Sequence, residues 1–146
     1  MSFVLPSNDE EKIFLLEWLS ERLPVNIETS ASPIGIAREN HLVAVIALHG
    51  ISDGLGQISL AADNPRWATK EVIRFTLSTA FEGLNLRRLT ALTAKSNKRV
   101  HKLLEGVGFA KEGFHRQLFP KEDGISWGMT RRYYKRSKWN GCARRR

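Results

Sequence analysis

The sequence contains almost no cysteine, and it has no hydrophobic run long enough to cross a membrane. Its single cysteine, Cys142, has no partner in the chain, so an internal disulfide cannot form. No apolar run approaches the ~18 residues that a membrane-spanning helix requires. The segment from Met1 to Glu11 is acidic and lacks the basic-then-apolar order of a secretory signal peptide. These absences favour a reduced, cytoplasmic setting without membrane contact.

Length and composition are typical of one folded domain. The chain has 146 residues, of which 42% are hydrophobic; this is enough for a core and too many for a disordered chain. The sequence contains no internal repeat and no low-complexity linker. We therefore expect a single domain over residues 1–134, followed by a basic, poorly ordered tail over residues 135–146.

Charge is distributed unevenly along the chain. Residues 1–63 contain three basic and nine acidic side chains, whereas residues 64–146 contain 20 basic and six acidic ones. The chain from residue 131 onward combines Lys and Arg with Tyr133, Tyr134 and Trp139 and contains no acid. This combination suits phosphate pairing and base stacking, but no helix-turn-helix, zinc or RNA-recognition motif accompanies it. Non-specific nucleic-acid binding and a solvated tail are both open interpretations.

Hydrophobic periodicity and turn signals predict the element order α β β β α β α β β. A strand–helix–strand unit in the middle requires a parallel crossover, and hairpins flank it. We therefore expect an α/β fold with a mixed, mostly antiparallel sheet and helices on both faces. The predicted elements are helix 9–23, strands 34–38, 42–50 and 55–62, helix 65–82, strand 88–94, a helix opened by Ser96 or Asn97 and ended by Gly108, and strands 109–119 and 125–134.

The segment from Asn97 to Gly113 resembles a known family. An Asn opens a helix, the helix ends in Leu-Glu-x-x-Gly108-Phe109, and x-x-Glu-Gly follows. This run is similar to GNAT acetyltransferases, and most similar to the branch that includes acetyltransferases of ribosomal-protein N-termini. With the elements before it, the resemblance covers about residues 33–134.

The resemblance implies a GNAT fold, acetyl-CoA as co-substrate, and transfer of an acetyl or other short acyl group to a primary amine. The alternative function is a GNAT-like module that has lost catalysis and binds nucleic acid, the ribosome or a protein partner. A simple binding measurement distinguishes the two functions, because only the enzyme must bind acetyl-CoA.

The resemblance also implies where acyl-CoA binds. Backbone N–H groups near Leu60, Ala61 and Ala62 would stabilise the charge that develops on the thioester oxygen. Asn97 would contact the pantetheine arm, or it only caps its helix. The other cofactor contacts that the resemblance implies are Arg66, Trp67, Ala68, Thr69 and Lys102.

The cofactor loop departs from the family pattern. Asp63 stands where the family has Arg or Gln, and Asn64 and Arg66 stand where it has glycines, which allow a close backbone approach to phosphate. The helix start at Pro65 is kept, with Asn64 as its N-cap. Arg66 can replace the lost N–H contacts with a charge-assisted bond to the diphosphate. We expect a remodelled loop that still binds CoA; loss of CoA binding is the competing interpretation.

The sequence identifies no general acid or base. Leu104 and Val100 stand where relatives carry Tyr or Ser, and Gln57 stands where relatives often carry Glu. The thiolate can then take its proton from water, and positioning of the amine can supply most of the acceleration. Candidates for the base by residue type alone are Glu39, His49 and Asp53, and a lone strand His such as His49 is more often a packed residue.

Acidic side chains indicate the charge of the acceptor. In this fold the acceptor enters against the first helix and the loop between the last two strands, and both are acidic. Carboxylates there would concentrate a cationic amine, such as a basic peptide N-terminus, a lysine side chain or a polyamine. The acidic residues concerned are Glu10, Glu11, Glu17, Glu21, Glu122 and Asp123.

Overall fold

One seven-stranded sheet organises the part of the chain that the computed structural model describes, residues 1–23 and 26–141. The spatial order is β1-β2-β3-β4-β5-β7-β6; β4 and β5 pair in parallel and all other neighbours are antiparallel. The predicted mixed sheet with one parallel crossover is confirmed. The strands are β1 (Ser2–Val4), β2 (Ser32–Arg38), β3 (His41–Ser52), β4 (Leu55–Ala62), β5 (Arg88–Ala94), β6 (Ala110–Phe119) and β7 (Glu122–Thr130).

Helices cover both faces of the sheet. On β3, Val45 and Ala47 pack with α1, whereas the alternating Ile46 and Leu48 belong to the larger cluster that contains residues of α2, α3 and α4. Both faces of β3 are buried, which explains why its sequence is apolar at successive positions and does not alternate with polar residues. Within the described residues, no helix combines the length and hydropathy needed to span a bilayer. The helices are α1 (Asp9–Ser20), α2 (Lys70–Ser78), α3 (Lys98–Val107) and α4 (Arg131–Arg136).

The helix α3 has the ends that the sequence predicts. The Asn97 side chain accepts a hydrogen bond from the backbone N–H of Val100 at 3.3 Å, which caps the first turn. Gly108 ends the helix with φ +119°, a left-handed conformation that side chains other than glycine rarely adopt. Phe109 follows as a buried anchor of the larger cluster. The Gly-Phe pair therefore reverses the chain from α3 into β6.

Tight turns lie where the sequence predicts them. Glu39 and Asn40 join β2 to β3 with φ values of +51° and +65°, and Asp53-Gly54 joins β3 to β4 with +53° and +76°. Two positive φ values in succession suit the right-handed twist of a hairpin. These turns fix the register that brings β3 beside β4. The helix α1 is shorter than predicted, because Glu21 caps it and residues 21–23 form a turn.

The C-terminal segment differs from its prediction. Residues 131–134 were expected to continue a strand, but they begin α4, where Thr130 caps the N-terminus by accepting from the N–H of Tyr133 at 3.1 Å. Tyr134 and Trp139 are 2% and 4% exposed, and Trp139 Nε1 donates to the Val107 carbonyl at 2.7 Å. Residues 135–141 therefore do not form a loose tail, since they close the core beside α3. Residues 142–146 of the predicted tail lie outside the described residues.

Candidate active site

A wedge-shaped opening between β4 and β5 forms the candidate site. The parallel pairing runs from Leu55↔Arg88 to Ile58↔Ala91, and both strands continue beyond their last paired residues, to Ala62 and Ala94. A cavity of ≈ 480 Å³ lies in this opening. Most of its wall is apolar, from residues such as Ile58, Leu60, Ala91 and Val100, and polar side chains are placed among them.

A second cavity adjoins the first. Its volume is ≈ 330 Å³, and it shares Arg22, Leu60 and Asn97 with the wall of the larger cavity. The lining residues that the larger cavity lacks include Ala61, Ala62, Trp67 and Arg99. The two spaces form one path, which leads from the gap between the strands to the loop before α2. The larger cavity is mostly apolar and the smaller one carries Arg22 and Arg99, so the path suits a chain-like ligand with a charged end.

The backbone of β4 points hydrogen-bonding groups into the opening. The N–H of Asp63 donates to the Val43 carbonyl of β3 at 2.8 Å. Because N–H directions alternate along a strand, the N–H groups of Leu60 and Ala62 point the other way, towards β5. The pairing with β5 has already ended at Ile58. Beyond that residue, β4 therefore offers its edge to a ligand.

Asn97 lies at the start of α3 and beside both cavities. Its Oδ1 caps α3, and its side chain also lines both cavities. Leu60, Ala61, Ala62 and Trp67 join it in the wall of the smaller cavity.

Four other residues implied as cofactor contacts do not line these two cavities. Arg66 is exposed on the 3₁₀ turn, and Lys102 is exposed on the outer side of α3. Ala68 is partly buried against the large core cluster, and Thr69 caps α2. Contact with a cofactor remains a prediction for these four residues and for the five that line the cavities.

The loop before α2 corrects the predicted helix start. Asn64 and Pro65 open only a 3₁₀ turn, Pro65–Trp67, and the chain leaves helical geometry at Ala68. The α-helix begins at Lys70, where Thr69 Oγ1 accepts from the N–H of Val72 at 3.2 Å. A π-helical turn, Thr79–Gly83, then extends it. The predicted continuous helix 65–82 is therefore two helical pieces with a cap between them.

Backbone amides in this loop are already engaged. The N–H of Arg66 donates to Asn64 Oδ1 at 2.8 Å, and those of Trp67 and Thr69 donate to carbonyls within the loop. A glycine loop holds phosphate with successive free N–H groups, and these three amides do not supply that arrangement. Asn64 has φ −127°, so the loop makes no left-handed turn at that residue. A diphosphate here would depend on side chains, and Arg66 and Arg99 carry the nearby positive charge.

Asp63 does not present a bare charge to this loop. Its carboxylate accepts from Arg22 Nε at 2.9 Å and from Nη2 at 2.8 Å. Arg22 is itself held in place: Nη1 donates to the Trp18 carbonyl at 2.9 Å, and Cζ lies 3.4 Å from the Trp18 ring centroid. The hydrogen bond from Arg22 holds the pKa of Asp63 below its ordinary value. An unpaired aspartate would repel a diphosphate, and the ion pair with Arg22, in the turn after α1, offsets that repulsion.

Three polar residues that the sequence does not connect meet at the larger cavity. His49 Nε2 lies 2.8 Å from Ser59 Oγ, and His49 Nδ1 lies 3.3 Å from Glu28 Oε1. His49 and Ser59 both line the cavity. Burial lowers the pKa of His49, and Glu28 partly offsets this effect. Sequence reasoning named His49 by type only, because the pairing of β3 with β4 determines its neighbour.

Acids are sparser at the cavity than the sequence predicts. Of the six acids named for the acceptor side, Glu122 lines the larger cavity, and its carboxylate accepts from the N–H and Oγ of Ser96 at 3.0 Å. Asp123 accepts from the N–H of Gln117 at 2.7 Å. The acids of α1 are exposed and absent from this wall. Leu104 and Val100 line the cavity where relatives would place a hydroxyl, so this wall is apolar.

Solved structures identify the fold. A single-residue mutant of spermidine N-acetyltransferase from Vibrio cholerae matches with TM-score 0.73 and 12% identity over 94% of this chain and 98% of that one. Ribosomal-protein-S5-alanine acetyltransferase from Vibrio fischeri matches with TM-score 0.70 and 15% identity over 94% of each chain. The chain has the GNAT acetyltransferase fold.

Comparison of the sequence with known families and curated proteins gives no match: no protein-family model matches the chain, and no curated protein is significantly similar to it. A structure described as a probable acetyltransferase has 21% identity and TM-score 0.63 over 70% of this chain and 62% of that one. At such identities the likeness establishes the GNAT fold alone.

Proposed function

We propose that the chain transfers an acetyl or other short acyl group from acyl-CoA to a primary amine. The observation that carries this proposal is the exposed edge of β4 at Leu60 and Ala62, which borders two adjoining cavities. The comparisons support it, because the neighbours are named for acetylation of spermidine and of a ribosomal-protein alanine, and both acceptors are amines.

The shape of the path suits acyl-CoA. A pantetheine arm carries two amides, which can pair with the edge of β4 as an added strand does. The thioester would then lie in the larger cavity, near Leu60 and Asn97. Arg66 and Arg99 would hold the phosphates by charge-assisted bonds, since the amides of Arg66, Trp67 and Thr69 are already engaged. Trp67 would form the wall between these two ends.

The chemistry follows from the same residues. The amine nitrogen attacks the thioester carbon, and negative charge develops on the carbonyl oxygen. The N–H groups of Leu60 and Ala62, fixed by the pairing of β4 with β3, are oriented to stabilise that charge without reorganising. The cavity wall around them excludes water and holds the two reactants together. The tetrahedral species then expels the CoA thiolate, which takes up a proton.

We propose a cationic acceptor, such as a basic peptide N-terminus, a lysine side chain or a polyamine. Glu122 supports this, because it is an acid in the wall of the larger cavity. The test is CoA release with a panel of amines at low and high salt. We expect cationic amines to be preferred and their kcat/KM to fall with salt. A preference for acidic or uncharged acceptors would overturn this acceptor class.

Substitution at Glu122 sharpens the test. E122Q should lower kcat/KM for a polyamine and leave a neutral amine nearly unchanged. E10Q removes an exposed charge from α1, away from the cavity wall, and serves as the matched control. Equal effects of the two substitutions would mean that Glu122 does not face the acceptor.

A non-catalytic module that binds nucleic acid is the rival function. Two of the three aromatic residues that suggested base stacking, Tyr134 and Trp139, are buried and cannot stack on bases. Tyr133 is exposed, and Lys and Arg remain at the surface of α4. Nucleic-acid contact and a cytoplasmic location therefore stay predictions, and the acyltransferase is the better-supported function.

A further inference from the structure

A serine, a histidine and a carboxylate form a chain of contacts on one side of the larger cavity. Ser59 lies on β4 and His49 on the neighbouring β3, where the register Ala47↔Ser59 and His49↔Gln57 brings them together. The Oγ–Nε2 distance is 2.8 Å and the Nδ1–Oε1 distance to Glu28 is 3.3 Å. The other oxygen of Glu28 accepts from the N–H of Gly50 at 3.3 Å. The carboxylate is therefore held from two sides.

These contacts determine where the protons lie when His49 is neutral. An ionised Glu28 can only accept, so Nδ1 of His49 must carry the ring proton. Nε2 then has a free lone pair, and the Ser59 hydroxyl donates to it. This leaves the lone pairs of Ser59 Oγ to accept a hydrogen bond from a group in the cavity. The histidine side chain is only 11% exposed, which favours its neutral form.

We propose that Ser59 and His49 form a proton relay that deprotonates the acceptor amine, with Glu28 as the positioning residue. This inference rests on the proposed acyltransferase function and supplies the base that the sequence does not identify. Ser59 accepts the amine proton while its own hydroxyl proton moves to Nε2 of His49. Glu28 holds the ring in the correct tautomer and stabilises the imidazolium that forms.

The protons balance over one turnover. The ammonium form of the acceptor loses one proton through Ser59 to His49, and the imidazolium later releases it to solvent. The neutral nitrogen attacks the thioester carbon, the C–N bond forms and the C–S bond breaks. The nitrogen loses a second proton as the departing thiolate gains one. The products are the amide, the CoA thiol and one released proton.

Other charged groups surround the relay. Glu28 contacts His49 directly, and Arg22 and Glu122 line the same cavity. A serine nucleophile that carries the acyl group would require the same geometry, so the experiment must separate a relay from an acyl-serine.

The test compares two acceptors near pH 7. A primary alkylamine is protonated there and needs the relay, whereas an alkoxyamine is already neutral and does not. We expect H49Q to lower kcat/KM for the alkylamine by ~100-fold, within the range for general-base catalysis, and to leave the alkoxyamine within ~5-fold. S59A should act in the same way, and S59T, which keeps a hydroxyl, should retain most of the activity. H41Q, at an exposed histidine on β3, is the matched control and should change neither rate.

The pH profile gives an independent readout. Burial lowers the pKa of His49 and Glu28 raises it, so E28Q should move the acidic limb of kcat/KM to lower pH. Unchanged melting and unchanged acetyl-CoA binding in H49Q would exclude misfolding as the cause of its lower rate. Equal losses of H49Q with both acceptors, or no loss with either, would overturn the relay.

Two further outcomes are decisive. An acetyl group found on Ser59 by mass spectrometry after incubation with acetyl-CoA would overturn the relay in favour of an acyl-enzyme. A wild-type chain that releases no CoA with any amine overturns the proposed function and the relay with it. An active wild type with an unaffected H49Q overturns the relay alone.

Discussion

Arg22 and Asp63 are 41 residues apart in sequence and form a two-point ion pair, with nitrogen–oxygen distances of 2.9 and 2.8 Å. The pair joins the turn after α1 to the loop before α2. It neutralises the one acid that stands where a diphosphate is expected. The aspartate that replaces the basic or amide residue of the family pattern is thus paired within the fold.

Substitution of this pair should change CoA affinity. R22A leaves the Asp63 carboxylate uncompensated, so we expect acetyl-CoA to bind more weakly. R22A combined with D63N should restore much of the affinity, because the repelling charge is then gone as well. E21Q is the control, since Glu21 lies farther from Arg22, at 3.7 Å. Calorimetric titration measures all four proteins; a double variant no better than R22A would mean that Arg22 touches the ligand directly.

The same pair gives a pH dependence of stability. The folded-state pKa of Asp63 lies below its ordinary value of 3.8, so the pair stabilises the fold above that pH. This stabilisation is lost as the pH falls through the lowered pKa. Because both side chains are partly exposed, the effect should be at most about 1 kcal/mol. Acid unfolding of D63N should therefore show a slightly weaker pH dependence than that of the wild type.

Arg66 should matter for the diphosphate and not for the pantetheine arm. R66A keeps the backbone N–H that Asn64 caps and removes only the guanidinium. We expect acetyl-CoA to bind more weakly by about 1–3 kcal/mol, the range for a charged hydrogen bond. Binding of pantetheine, which lacks the diphosphate, should not change. K70A removes a neighbouring exposed charge and is the control; equal weakening of both ligands by R66A would place Arg66 elsewhere.

Gly106, within α3, and Gly108, at its C-cap, allow two matched substitutions with opposite expected effects on stability. A Cβ at Gly108 would lie 2.6 Å from Cε1 of Tyr133, and its φ of +119° disfavours any side chain. G108A should destabilise the fold by at least about 1–3 kcal/mol. A Cβ at Gly106 meets no atom within 4 Å, so G106A should stabilise the helix by about 0.5–1 kcal/mol. Urea unfolding tests both; similar effects of the two substitutions would refute this account of the Gly-Phe segment.

Trp139 should be a core residue despite its basic surroundings. W139A removes a buried indole and its hydrogen bond to Val107, and should cost about 3–5 kcal/mol of unfolding free energy. R136A, at an exposed position of α4, should stay within about 0.5 kcal/mol of the wild type. Denaturant unfolding measures both. A W139A variant as stable as R136A would mean that the segment does not pack on the core.

The sequence predicts those parts of the fold that local signals determine. The bounds of β4 follow from alternation, and Asn97 and Gly108 mark α3, because cap and turn chemistry acts over a few residues. Trp139 was misjudged, since its burial depends on a distant helix and its neighbours are basic. The break at Ala68 was also missed, because Pro65 and Thr69 are both good helix-start residues and only packing decides between them.

The candidate site likewise contains residues that local sequence signals locate and residues that only the folded structure brings together. The resemblance predicts Asn97 and Leu60 as site residues, since they stand at fixed places relative to local signals, and both line the smaller cavity. The contact between His49 and Ser59 depends on strand register, and the pairing of Arg22 with Asp63 depends on how α1 crosses the sheet. Neither leaves a pattern in the sequence, because no local rule joins residues that meet only after the sheet forms.

The central claim is that acyl-CoA binds in the opening between β4 and β5. The most direct measurement is the melting temperature of the wild-type chain with increasing acetyl-CoA. We predict a clear rise, since ligand at about 100 times its Kd should add about 2.7 kcal/mol to the free energy of unfolding. No shift at millimolar acetyl-CoA would contradict the account and would favour a domain that keeps the GNAT fold without its co-substrate.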